Sequence, residues 1–73
     1  MKINPQGPNA TEIEKSNGDL ILVSYSTPVA ARIKGKYYRT MTRHSVTTSH
    51  HISAWIETEP ATPKPQAYFD KLI

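Results

Sequence analysis

Residues 20–25 read Leu-Ile-Leu-Val-Ser-Tyr, apolar on both faces of any strand they form. Side chains alternate across a strand, so such a segment is content only where both faces of its sheet are covered. The chain must place its own material on two sides of this strand, or cover one side and set the other against another subunit. With 73 residues, 37% of them hydrophobic, it has one domain and a small core to do this with. Domains of this size usually add a disulfide, a metal or a partner chain. There is no Cys, which removes disulfides, thiolate-bound zinc and thiol catalysis. Two outcomes remain open, a homo-oligomer or a marginally stable monomer. No apolar run approaches the ~20 residues a bilayer-crossing helix needs. The first ten residues carry a single Lys and no apolar core of a secretion signal. A cytoplasmic protein without membrane contact is expected.

Pro5, Gly7 and Pro8 make residues 1–10 a flexible or irregular lead, with room for a short edge strand at residues 2–4. Asn17-Gly18 then stands between two candidate strands, and both residue types tolerate the positive φ of a type I′ turn. A two-residue loop there pairs Ser16 with Asp19 and Ile13 with Leu22, placing Glu12 and Glu14 on the face away from Ile13 and Leu22. Thr11 followed by Glu14 also fits a helical capping box, with only Ile13 to supply an apolar face. Pro28 cannot donate to a ladder and must sit at a strand start or a bulge. Residues 29–34 alternate, Gly35 turns the chain, and residues 36–40 return. A two-residue Lys34-Gly35 loop sets Arg32 against Tyr37, Ala31 against Tyr38 and Ala30 against Arg39. A slip of one residue would exchange the two tyrosines between faces.

Ile52, Trp55 and Ile56 recur at helical spacing, which predicts a helix over residues 48–57 with capping side chains at Ser45, Thr47, Thr48 and Ser49, and Val46 as a staple. Trp55 and Ile56 then seal the sheet. Three prolines between residues 60 and 65 favour extended chain. Tyr68, Phe69, Leu72 and Ile73 are too apolar for a solvated tail: they fold back or dock on a partner. The expected architecture is α+β, a small antiparallel β-meander of three to four strands packed against one α-helix. Residues 1–10 form its lead, 11–58 its core domain and 59–73 a Pro-rich linker and apolar C-terminal tail.

The segments SYSTPVA (Ser24 to Ala30), YYRT (Tyr37 to Thr40) and TTS-x-HI-x-x-W (Thr47 to Ser49, then His51, Ile52 and Trp55) resemble a family of small uncharacterised proteins of bacteriophages and related mobile elements. The resemblance covers about half the chain. It implies a viral or mobile-element origin and no assigned activity.

Chemistry is sparse. Adjacent His50 and His51 point ~100° apart on a helix and do not chelate one ion as an i, i+4 pair does, so no metal and no cofactor is expected. Ser45, Ser49 and Ser53 neighbour histidines, but residues 20–56 contain no carboxylate to orient a triad. A non-enzymatic protein is the reading. Within residues 20–56, Arg32, Lys34, Lys36, Arg39 and Arg43 stand without a single Asp or Glu, while the acids lie toward the chain ends. Cations on a hairpin, with Tyr37 or Tyr38 between them, suit the phosphates and bases of DNA or RNA. The bland counterpart is an edge kept soluble by Lys and Arg. The alternative function is a protein-binding accessory factor that inhibits a host or defence complex, anchored through Tyr68, Phe69, Leu72 and Ile73.

Overall fold

Pro28 lacks the N–H a ladder requires, and the structure, a computed structural model describing residues 2–72, seats it at a bulge. Strand β3 (Leu20–Ser24) pairs with β4 (Thr27–Ile33), Leu22 opposite Ala30 and Val23 opposite Pro28, so that Val29 is the extra residue. Val29 and Ala30 both reach the same buried cluster, which the bulge permits although they are sequence neighbours.

The sheet has six strands rather than three to four, in spatial order equal to sequence order. Strands β1 (Lys2–Gly7) and β2 (Ala10–Glu14) precede the central pair, and β5 (Lys36–Thr40) follows it. Helix α1 (Val46–Ile56) then crosses one face and delivers β6 (Ala61–Lys64) parallel to β5. A parallel neighbour needs such a crossover, since no tight turn can make it. A second helix, α2 (Gln66–Asp70), ends the described chain on the other face. The expected single-helix meander is therefore corrected to a mixed sheet with two helices. The missed strands lie in the Pro-bearing ends, where local signals argue against strand. Met41 N–H donates to the Lys64 carbonyl at 2.8 Å. Lys64 thus faces β5, and Pro63 beside it faces the open edge, where its missing N–H costs nothing.

Both faces of the central strands are covered by the chain itself. On the α1 side Leu22, Val29, Ala30, Ile52 and Ile56 form the core, with Tyr37, Trp55 and Ala61 against it. On the α2 side Phe69 is 0% exposed, and Ile21 and Ala31 are buried. The apolar tail folds back: Tyr68 and Phe69 pack edge-to-face at 5.2 Å, and Tyr68 meets Tyr38 at 5.8 Å.

The first hairpin is not the two-residue loop its Asn-Gly pair suggests. Gly18 alone takes positive φ (93°), and its N–H donates to the Lys15 carbonyl at 3.0 Å. This three-residue loop, with its Gly in the left-handed region, shifts the register by one. Ile13 pairs with Ile21, and Glu12 with Leu22. Glu12 is thereby turned to the α1 side, where it accepts the Trp55 indole N–H at 2.8 Å. Lys34-Gly35 does form a two-residue loop, both residues at positive φ, and its pairing is the one the alternation predicts.

Candidate nucleic-acid interface

Cross-strand pairing fixes where the hairpin cations point. Arg32 sits opposite both Leu20 and Tyr37, and Arg39 opposite Ala30, so both arginines face the α1 side. Lys36 pairs with Ile33 and faces the α2 side. Lys34 occupies the turn itself, and Arg43 lies in the connection to α1. The five cations do not share one hairpin face. They separate into a tip group, with Lys34 and Lys36 in solvent and Arg32 beside them, and a second group, Arg39 and Arg43, at the opposite end of β5.

That opposite end holds a cleft of about 390 Å³ lined by Arg39, Met41, Arg43, His44, Thr48 and Ser49 among others, with no carboxylate in its lining. Its walls are tied down. Ser45 caps α1 by accepting the Thr48 N–H at 3.1 Å without the help of Thr47 or Ser49, so the helix begins at Val46, two residues before the expected start. Val46 is 73% exposed and is no staple. Gln66 joins four segments: its Oε1 accepts from the Thr40 hydroxyl at 2.8 Å and lies 3.0 Å from His44 Nε2, and its Nε2 donates to the Pro28 carbonyl at 2.7 Å and to Asp70 at 3.0 Å. A second hollow of about 280 Å³ shares Arg43, His44 and Ser49 with the cleft and adds Val46 and His50.

Several carboxylates are engaged by neutral donors. Glu12 takes Trp55 and Asn4, Asp19 takes the Asn17 amide and the Lys34 backbone N–H, and Asp70 takes Gln66. The Lys34 ammonium is not what Asp19 binds.

Neither candidate tyrosine offers a free ring. Tyr37 is half-buried, edge-on to Trp55 at 5.6 Å with Arg32 over it at 5.9 Å. Tyr38 lies on the other face with Lys64 at 5.8 Å, and the same ammonium lies 5.6 Å from Tyr68. Burial, with Tyr38 and Asp19 nearby, raises the Tyr68 phenol above its ordinary value. Among the anchor residues, Phe69 is spent in the core, while Tyr68 and Leu72 are half-buried and Leu72 gives its carbonyl to Lys15 at 3.1 Å. Ile73 lies outside the described residues.

Ser24, His51 and Thr48 form a network the sequence did not announce. The buried Ser24 hydroxyl lies 2.8 Å from His51 Nδ1 and 3.0 Å from the Thr48 hydroxyl. Ser24 is 2% exposed, so it joins β3 to α1 and offers no nucleophile to solvent. Among the described residues no group of three or more His, Asp or Glu could hold a metal ion, and no helix is long and apolar enough to cross a membrane.

Comparison with curated proteins and with solved structures returns no match. A family model described as a family of unknown function (DUF8033) matches residues 1–71, nearly the whole chain, and the protein belongs to that family.

Proposed function

We propose that this protein is a small non-enzymatic accessory factor of a bacteriophage or mobile element that binds nucleic acid in the host cytoplasm. The phosphate backbone is its main target. The observation that carries the reading is the cleft at the end of β5, where two guanidinium groups and an imidazole share a wall free of carboxylates. Guanidinium forks match phosphate oxygens, and hydrogen bonds tie down the cleft residues beside them, Thr40, His44 and Thr48. The net charge of +3 favours encounter with a polyanion. Arg32, Lys34 and Lys36 lie at the opposite end of β5 from the cleft and add only longer-range attraction.

The test is fluorescence anisotropy with labelled single- and double-stranded oligonucleotides across a salt series. Each lost phosphate contact lowers the slope of log K against log salt by about 0.7 to 0.9. The paired change Arg39→Ala and Arg43→Ala should lower it by about 1.5. Changing Lys34 and Lys36 to Ala should lower it by less. Absence of binding at low salt, or a slope untouched by the arginine pair, removes the proposal.

A further inference from the structure

Tyr25 is the most exposed aromatic ring on the α1 side, 57% accessible, and it stands where an aromatic is least expected. Ser24 pairs with Thr27, so Tyr25-Ser26 is a two-residue hairpin loop. Tyr25 has φ of 59°, and Ser26 is not among the residues at positive φ. Positive φ at the first central residue alone is the type II′ pattern, whose first position normally takes Gly. A Cβ-bearing residue there is strained, and an aromatic one gains nothing from the turn itself. Strain kept at an exposed side chain points to a use for that side chain.

The ring is also held in place. It meets the His51 imidazole at 6.2 Å between centroids, tilted by 47°. His51 is fixed through Nδ1 by the buried Ser24 hydroxyl, which also binds Thr48. The Tyr25 N–H donates to the Asn9 carbonyl of the neighbouring turn. The buried polar network that joins β3 to α1 therefore also braces an exposed aromatic.

The ring lies at the end of the sheet that bears Arg39 and Arg43. β4 begins where β5 ends, so the 25–26 turn and the 41–44 segment leave the sheet at the same end. Thr48 lines the arginine cleft while its hydroxyl binds Ser24, the residue before Tyr25. The hollows continue around α1: Arg43 and His44 border the cleft and the second hollow, and His50 borders that hollow and a third of about 350 Å³ that also includes His51.

We propose that Tyr25 is a stacking platform for an unpaired nucleobase, so that the ligand of the basic cleft is single-stranded nucleic acid. This rests on the phosphate-binding reading above and goes beyond it. A duplex keeps its bases stacked on each other, whereas a single strand can lay one base on an exposed ring while its phosphates follow the arginines. Stacking on a protein ring is tolerant of sequence, because every base has a π-face.

The experiment compares three labelled probes of equal length: oligo-dT, the same backbone with abasic sites, and a duplex. Each is titrated against wild type, Tyr25→Gly, Tyr25→Phe and the Arg39→Ala, Arg43→Ala pair. Wild type should bind oligo-dT more tightly than the abasic strand. Tyr25→Gly should weaken oligo-dT by about 5- to 150-fold, the range for one lost stacked base, and leave the abasic strand and duplex within about twofold. Tyr25→Phe should retain oligo-dT binding. Glycine suits the turn, so thermal unfolding of Tyr25→Gly should be no lower than wild type, separating lost binding from lost folding. If Tyr25→Gly weakens all three probes alike, or none, the stacking role is wrong while phosphate binding stands. If wild type binds none of the probes at low salt, both readings fall.

Discussion

At the 34–35 turn two lysines stand in solvent, Lys34 in the two-residue loop and Lys36 at the start of β5, and Asp19 reaches only the Lys34 backbone N–H there. At the far end of the same strand, Arg39 and Arg43 border a cleft whose walls are held by the Ser45 cap and by Gln66. Both ends are basic. Charges on a solvated turn are screened within ~10 Å at ordinary salt and lose side-chain freedom when they engage. Arg39 and Arg43 instead line one hollow together, which is why the proposal puts a phosphate there. Counting cations along the chain treats the two ends alike, and what separates them is that Arg39 and Arg43 line one cleft free of carboxylates, whereas the hollow that Lys36 borders includes Glu59.

The hardest test of this contrast asks whether the two ends belong to one cooperative unit. Phe69→Ala removes a fully buried ring and should cost about 3–5 kcal/mol in denaturant unfolding followed by Trp55 fluorescence. Trp55 packs on the other face of the sheet, so an unchanged midpoint would mean that α2 is an appendage. Next in size, Gln66→Ala strips partners from Thr40, His44 and the Pro28 carbonyl, at about 1–3 kcal/mol. Hydrogen exchange should quicken around residues 41–45 and stay the same around 34–36; equal quickening at both ends would erase the distinction drawn between them. Ser45→Ala should lower stability by about 1 kcal/mol through the lost cap, with Ser45→Asp restoring most of it. Smallest is Lys34→Asn. Lys34 has φ of 52°, and Asn accepts that region more readily, so a gain of about 0.5 kcal/mol is expected with nucleic-acid affinity little changed. A large loss of affinity there would move the binding site to the hairpin tip.

Much of the core was legible because local patterns and tertiary demands agreed. The two-sided apolarity of residues 20–25 called for cover on both faces, which α1 and α2 provide. Helical spacing of Ile52, Trp55 and Ile56 placed one face of α1, and alternation around Gly35 gave the β4–β5 register. The β2–β3 register was misread by one residue, because Asn17-Gly18 is compatible with two loop lengths and only packing chooses between them. That slip hid Glu12, whose carboxylate meets Trp55 only in the register adopted. Tyr25 left a trace that a stricter reading of turn chemistry would have caught: a two-residue loop without Gly, Asn or Asp at its strained position.

By itself the sequence determined the β4–β5 hairpin, one face of α1, the lack of cysteine chemistry and the excess of positive charge, which can be read from composition or from neighbours within a few residues. Tertiary structure decided that the Pro-rich segment 61–64 joins the sheet, that Phe69 is core and not a free anchor, and that Arg39 and Arg43 share a cleft while Lys36 faces away. Those outcomes depend on contacts between residues far apart in the chain. A local pattern specifies which side chains can be buried or charged together, but only the closed fold fixes which of them meet.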